Sequence, residues 1–359
     1  MQSEFSKMQV SSYRSTESTR SKDIGLGGKP VFRVLIAICL RPIILCCIAV
    51  ILGITWICGY KVTPQLKQLI FPDFVEKREQ ARYTEFHHRF HHLGSRGGQA
   101  SVWCDTSEPL IWAHAGGGRF GFYMNCKEAI DDSIKRGFNV VELDVNLTSD
   151  NVPVLTHGFE PNEEIMFDRV PSCSEFLSTP VCGRYTPLTL LQFFDMYAQF
   201  LRDGGWVSLD PQQSPEFDLV SYLEENISDV LLSHVMYQIN SREDLLRLAE
   251  NNPFGALHYC LMEEVNFVSR NRPLQMWRFP VLIDTLRAMG IRSCSFMDRP
   301  ITDDVRDMVH ILSKAGIVVS VARCNRVSRY RKWRNVGVLC IDSDLLTPED
   351  IRSELIGND

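Results

Sequence analysis

The chain has 359 residues, of which 45% are hydrophobic and 23% charged, enough apolar side chains for one large folded domain with appended segments and too many for a disordered chain. Its formal charge of −6 speaks against a nucleic-acid partner, because bulk electrostatics would repel the phosphate backbone.

Residues 1–33 are rich in Ser, Lys and Arg and have no apolar period, which predicts a disordered tail. Residues 34–60 follow as an apolar segment with no charge between Pro42 and Tyr60. A helix of that length covers roughly 30 Å and would span a bilayer, with Trp56 and Tyr60 at the aromatic belt. Lys7, Arg14, Arg20, Lys22, Lys29, Arg33 and Arg41 precede it, whereas Lys61 and Lys67 are the only nearby cations after it. The positive-inside rule then predicts a retained signal anchor with a cytosolic N-terminus, a type II single-pass protein whose remainder is lumenal or extracellular. Residues 61–103 read as a juxtamembrane stalk. His87, His88, His91 and His92 in it fit a polar helix better than a metal clamp.

From residue 104 to 359, short apolar runs alternate with helical stretches. The runs are LIWAH, VVELDV, GWVSLD, SHVMYQI, ALHYCLM, RSCSFM, IVVSVAR and VGVLCID. Eight such runs over a segment of this size predict an α/β fold, a (β/α)8 TIM barrel. PVLTHG breaks the alternation. Only NLTSDNV separates it from VVELDV, too little for a parallel crossover, so it must return as a hairpin arm inserted after strand 2. Of the 12 cysteines, Cys173 and Cys182 bracket a Pro- and Ser-rich loop and suit a local disulfide in an oxidising lumen. Two glycosylation sequons start at Asn146 and Asn226, and Asn226 is the better acceptor, since a glycan on Asn146 would crowd Asp144.

Barrel active sites gather at the C-terminal ends of strands. Those ends hold His114, then Glu142 and Asp144, then His157 on the hairpin, then Asp210. Glu142 and Asp144 are two apart in a strand and share a face, where like charges repel unless a cation or proton lies between them. Three carboxylates without a cysteine suit Mg2+ or Ca2+ better than zinc. Two histidines near neutral pKa suit acid and base roles, and the combination favours phosphodiester cleavage.

These residues resemble the glycerophosphodiester phosphodiesterase family, within the group that includes phosphatidylinositol-specific phospholipase C. WAHAGG is similar to the family's His-x-Gly opening. ELDVNLTSDNVPVLTHG is similar to its Glu-x-Asp, Thr-x-Asp-Gly and closing His, with Asn151 in place of the Gly. The similarity runs over about 109–352 and is most specific at 140–158. The resemblance implies acid–base catalysis by His114 and His157, one divalent ion on Glu142, Asp144 and Asp210, and attack by a substrate hydroxyl to give a cyclic phosphate. It also exposes departures. Ala115 stands where the family has Arg, Met124 where a metal-binding Glu precedes Asn125, and Gln212 where a Lys contacts phosphate. Asn125, Gln212, Arg119 and Arg323 are the residues expected to contact substrate in their stead. The expectation is a membrane-anchored, metal-dependent phosphodiesterase acting on glycerophosphodiesters or lysophospholipids. A catalytically weak barrel that binds a phospho-headgroup or a protein partner is the alternative.

Overall fold

The computed structural model describes residues 72–90, 110–118, 124–159, 165, 167–212, 217–262, 264–265 and 274–356. The tail, the predicted anchor at 42–60, His91, His92 and Arg119 lie outside them. Among the described residues no helix is long and apolar enough to cross a membrane. The chain divides into two units, Met1–Arg78 and Glu79–Asp359, and the second carries the barrel.

Eight parallel strands close on themselves. They are β1 (Leu110–Ala113), β2 (Val140–Leu147), β4 (Trp206–Pro211), β5 (Val235–Ile239), β6 (Ala256–Cys260), β7 (Ser293–Met297), β8 (Val318–Ala322) and β9 (Cys340–Ser343). Each pairs with the next, and β1 closes the ring by pairing with both β9 and β2. β3 (Pro153–Leu155) is the exception and lies antiparallel on β2, as its short connection requires. Most strands are buried along their length because helices cover the outside and side chains fill the inside, so the strands read as apolar runs. Trp112, Val140, Met236, Ala256 and Cys340 form an apolar cluster. Val140, Ala256 and Cys340 open their strands and Trp112 is in register with Val140, so this cluster fills the N-terminal end of the barrel.

The described helices are α1 (Pro72–His88), α2 (Lys127–Lys135), α3 (Cys173–Ser178), α4 (Leu190–Arg202), α5 (Leu219–Asn226), α6 (Asp229–Leu232), α7 (Arg242–Glu250), α8 (Arg278–Ala288), α9 (Asp303–Lys314), α10 (Val327–Arg334) and α11 (Pro348–Ile356). Reciprocal capping fixes two of the starts, Ser172 with Glu175 for α3 and Thr189 with Gln192 for α4.

The barrel unit starts earlier than residue 104. Tyr83, Phe86, His87 and Phe90 are all buried, and their spacing of i, i+3, i+4 and i+7 makes one helical stripe. The Tyr83 hydroxyl donates to Glu264 Oε1 at 2.7 Å, and His87 Nδ1 lies 2.9 Å from Thr285 Oγ1 on α8. Burial, then the Arg242 and Arg278 guanidinium groups, lower the His87 pKa to about 4. His87 is therefore a neutral packing residue at physiological pH. Residues 79–90 belong to the barrel's outer layer, where the sequence suggested a free stalk.

Glu264 Oε1 accepts from Tyr83 and, at 3.3 Å, from Tyr259. Tyr83→Phe removes the shorter bond beside a buried carboxylate. We expect it to lower the unfolding free energy by about 1–3 kcal/mol in urea titration. A variant as stable as the parent would mean that α1 is not latched through this hydroxyl.

Candidate active site

The β2–β3 hairpin carries the second histidine back to the barrel mouth. Thr148 N–H donates to the Val152 carbonyl at 3.1 Å, and Asn151 N–H to the Thr148 carbonyl at 3.0 Å. Asn151 has φ 59°, a left-handed conformation that Asn tolerates better than most residues, which is why it can stand where Gly is usual. Thr156 N–H then donates to the Asp144 carbonyl at 3.1 Å, and Asn146 Nδ2 to the His157 carbonyl at 3.3 Å. The hairpin is thus tied to the carboxylate strand immediately before and at His157. The Asn146 side chain is committed to that tie, whereas Asn226 is exposed at the end of α5.

Strand register does the rest. Asp144 stands opposite Asp210 and Glu142 opposite Ser208. Glu142, Asp144 and Asp210 offer oxygens that all lie within 4.8 Å of one another. Two oxygens on opposite sides of one divalent ion, each about 2.4 Å from it, would be about 4.8 Å apart, so these three fit around a single hard cation. His114, Glu142, Asp144, His157 and Asp210 line one cavity of about 420 Å³.

Neutral N–H donors hold the acids in place. Ala115 N–H donates to Glu142 Oε2 at 2.6 Å, and Gln238 Nε2 reaches Glu142 Oε1 at 3.5 Å. Asp144 receives Asn125 Nδ2 at 2.8 Å and Gln212 Nε2 at 3.1 Å. Asn240 Nδ2 donates to Asp210 Oδ1. Burial and then the Asp144 carboxylate push Glu142 well above the usual carboxylate range, and the same two causes push Asp210 up to about 7. The cluster therefore holds protons that a cation would displace.

The last strand adds a pair of acids that sequence reading passed over. Asp344 Oδ1 lies 2.6 Å from His114 Nδ1, and its other oxygen accepts from Asn325 Nδ2 at 2.6 Å. Asp342 lines the cavity and accepts the Arg323 N–H at 2.8 Å. Burial alone would lower the His114 pKa, but Asp342, the hydrogen bond to Asp344 and Glu142 outweigh it and hold the imidazole well above its ordinary value. Asp344 holds the ring through Nδ1 and so fixes its orientation. Gly118 makes room for this contact, since a Cβ there would lie 2.4 Å from Asp344 Cβ. The signal was present in the sequence: CIDSD repeats at the end of the last strand the i, i+2 acid pair of VELDV.

Residues 114–174, the segment from the first histidine past the second, match the model of the Glycerophosphoryl diester phosphodiesterase family. The match is confined to that segment of the chain. The chain is a glycerophosphodiester phosphodiesterase-like hydrolase. Its fold is similar to that of a glycerophosphodiester phosphodiesterase from Parabacteroides distasonis, at 17% identity and a TM-score of 0.52, covering 70% of this chain and 99% of that one. It is also similar to an Oleispira antarctica phosphodiesterase solved in complex with the product sn-glycerol-3-phosphate, at 18% identity and a TM-score of 0.51, covering 69% of this chain and 97% of that one. No curated protein matches the chain.

The phosphodiesterase-like site departs from expectation in its supporting residues. Asn125 is buried and does not line the cavity. Its amide bonds Asp144, donating to the side chain and accepting the backbone N–H at 3.0 Å, so it orients that carboxylate. Gln212 lines the cavity while bonded to Asp144, and Arg323 lines it from the β8 side. Arg119 falls outside the described residues. Met124 is buried in an apolar cluster with Val154, Phe159 and Phe176, where no ligand could serve a metal. No disulfide joins Cys173 to Cys182. Cys173 heads α3 within electrostatic reach of Asp150, whereas Cys182 is within reach of Cys126, so the loop ends face different neighbours.

Two outcomes are expected. Between pH 4 and 7 the folded cluster binds more protons than the unfolded chain, because the folded carboxyl pKa is raised. Its contribution to stability is therefore present at low pH and falls as pH rises towards about 7. A divalent cation replaces those protons, so added Mg2+ or Ca2+ should raise the thermal midpoint more at pH 8 than at pH 5. An equal shift at both would contradict a carboxylate site. Asp344→Asn should lower kcat by about 10²–10⁴-fold by freeing the wrong imidazole tautomer, with little change in KM. A kcat within threefold of the parent would remove Asp344 from the site.

Proposed function

We propose that this protein is a membrane-anchored, divalent-metal-dependent phosphodiesterase that cleaves phospholipid-derived diesters by histidine acid–base catalysis. The observation that carries the reading is the convergence of two imidazoles and three carboxylates on one cavity. Glu142, Asp144 and Asp210 would hold the ion, either Mg2+ or Ca2+. When bound it would supply positive charge beside the phosphate oxygens, and this matters more than usual where Gln212 and Ala115 provide none.

The chain's own groups handle the protons. One imidazole takes the proton of a substrate hydroxyl as that oxygen bonds to phosphorus. The other gives a proton to the departing alcohol oxygen as its bond to phosphorus breaks. The products are a cyclic phosphate and a free alcohol, and water can later open the ring. Asp344 holds the His114 ring, while the hairpin ties hold His157 at the mouth. Arg323 offers the phosphate a cation from β8. The uncharged segment 42–60 supports a type II anchor, which would set the barrel beside a membrane in a lumen or outside the cell. An exposed sequon at Asn226 agrees with that side of the membrane.

The second reading, a barrel that binds a phospho-headgroup or protein partner without cleaving it, rests on Met124 and Gln212. Phosphorus NMR of products from a panel of glycerophosphodiesters and lysolipids decides between them. Turnover that chelator abolishes and added metal restores supports the enzyme. Turnover in excess chelator removes the metal from the mechanism, and no turnover of any diester favours the binder. Asp144→Asn should cut kcat/KM at least about 10³-fold. Without added metal it should leave the thermal midpoint unchanged or higher, because it removes a charge from a repulsive cluster.

A further inference from the structure

The cavity is chemically two-sided. Its acids come from β2, β4 and β9, with His114 between them after β1. On β6–β8 the wall carries Cys260, Met262, Phe296, Met297 and Ala322, interrupted by Ser295 and bordered by Arg323 just past β8. Met297 and Ala322 are register partners on β7 and β8, so they present one continuous strip. Met262 lies just past β6, and Leu261 N–H donates to the Ser295 carbonyl at 2.8 Å, which fastens this segment to β7. Met262 is 43% exposed yet also lines the cavity. The apolar strip therefore runs from inside the mouth to the outer surface.

We propose that this strip is a subsite for an alkyl or acyl chain, and that it selects acylated phosphodiesters over their deacylated counterparts. The inference rests on the phosphodiesterase reading for the position of the phosphate. With phosphorus between the two histidines, a substituent directed away from the carboxylates meets the methionine wall. A polar glycerol or headgroup gains nothing there and loses water. An aliphatic chain gains about fourfold in affinity for each methylene buried. Methionine side chains adapt to chains of varied length and unsaturation, and Met262 gives a chain longer than the cavity a route out.

The test is calorimetric titration of the full-length protein, with a divalent ion present, using the methyl and hexyl esters of phosphocholine. The hexyl ester should bind at least tenfold tighter, and Met262→Gln and Met297→Gln should each reduce that ratio at least threefold. A ratio near one, no measurable hexyl ester binding, or a ratio that neither variant moves would overturn the subsite. Hydrolysis of lysophosphatidylcholine is read in the same preparation. Its absence, with the ratio intact, would count against the proposed activity and leave the subsite standing.

Discussion

Mutual repulsion among buried carboxylates is the constraint on which this structure turns. Glu142, Asp144 and Asp210 are brought together by strand register, out of bulk water. Such a cluster is costly unless protons or a cation occupy it. The raised carboxyl pKa values and the fit of a single hard cation are two expressions of that cost. A fold that keeps these acids together gives up stability for the capacity to bind a metal.

What keeps them together is a ring of neutral donors: Asn125, Gln212, Gln238, Asn240 and the Ala115 amide. Neutral donors have a particular use here. They orient each carboxylate and satisfy some of its lone pairs without supplying a charge that would compete with the ion. The same logic separates the two histidines. His114 is fixed from behind by Asp344 and Asn325, inside the barrel. His157 rides on a hairpin tied by backbone bonds and one asparagine. A rigid imidazole and one on a short external arm suit a reaction in which two protons move at two different oxygens.

Met124 and Gln212 acquire a physical meaning in this setting. The apolar cluster that buries Met124 includes Val154 on β3, next to the hairpin arm that bears His157. Met124 thus packs beneath the hairpin arm. Gln212 exchanges a cation aimed at substrate for a hydrogen bond to Asp144. On the proposed function, both changes would leave phosphate recognition to a bound cation and Arg323.

Much of the fold was legible from local pattern. Period-2 alternation placed Glu142 and Asp144 on one face, the short NLTSDNV connection forced a hairpin, and eight apolar runs with helices between them implied a closed parallel barrel. Those properties depend on the sheet's repeat and on the minimum length of a crossover, and both are local. The stripe Tyr83, Phe86, His87 and Phe90 was equally local, but the polar residues around it masked it. Short helices such as α3 and α6 have too few turns to show a period. The partnership of His114 with Asp344, 230 positions apart, could be settled only by closure of the ring, which sets the first strand against the last. The sequence alone determined which side chains would stand at the strand ends. Tertiary structure decided which of them cluster closely enough to fit one cation, which hold one another and which, like Asn125, are buried against a carboxylate, because those outcomes depend on register and burial between strands distant in the chain.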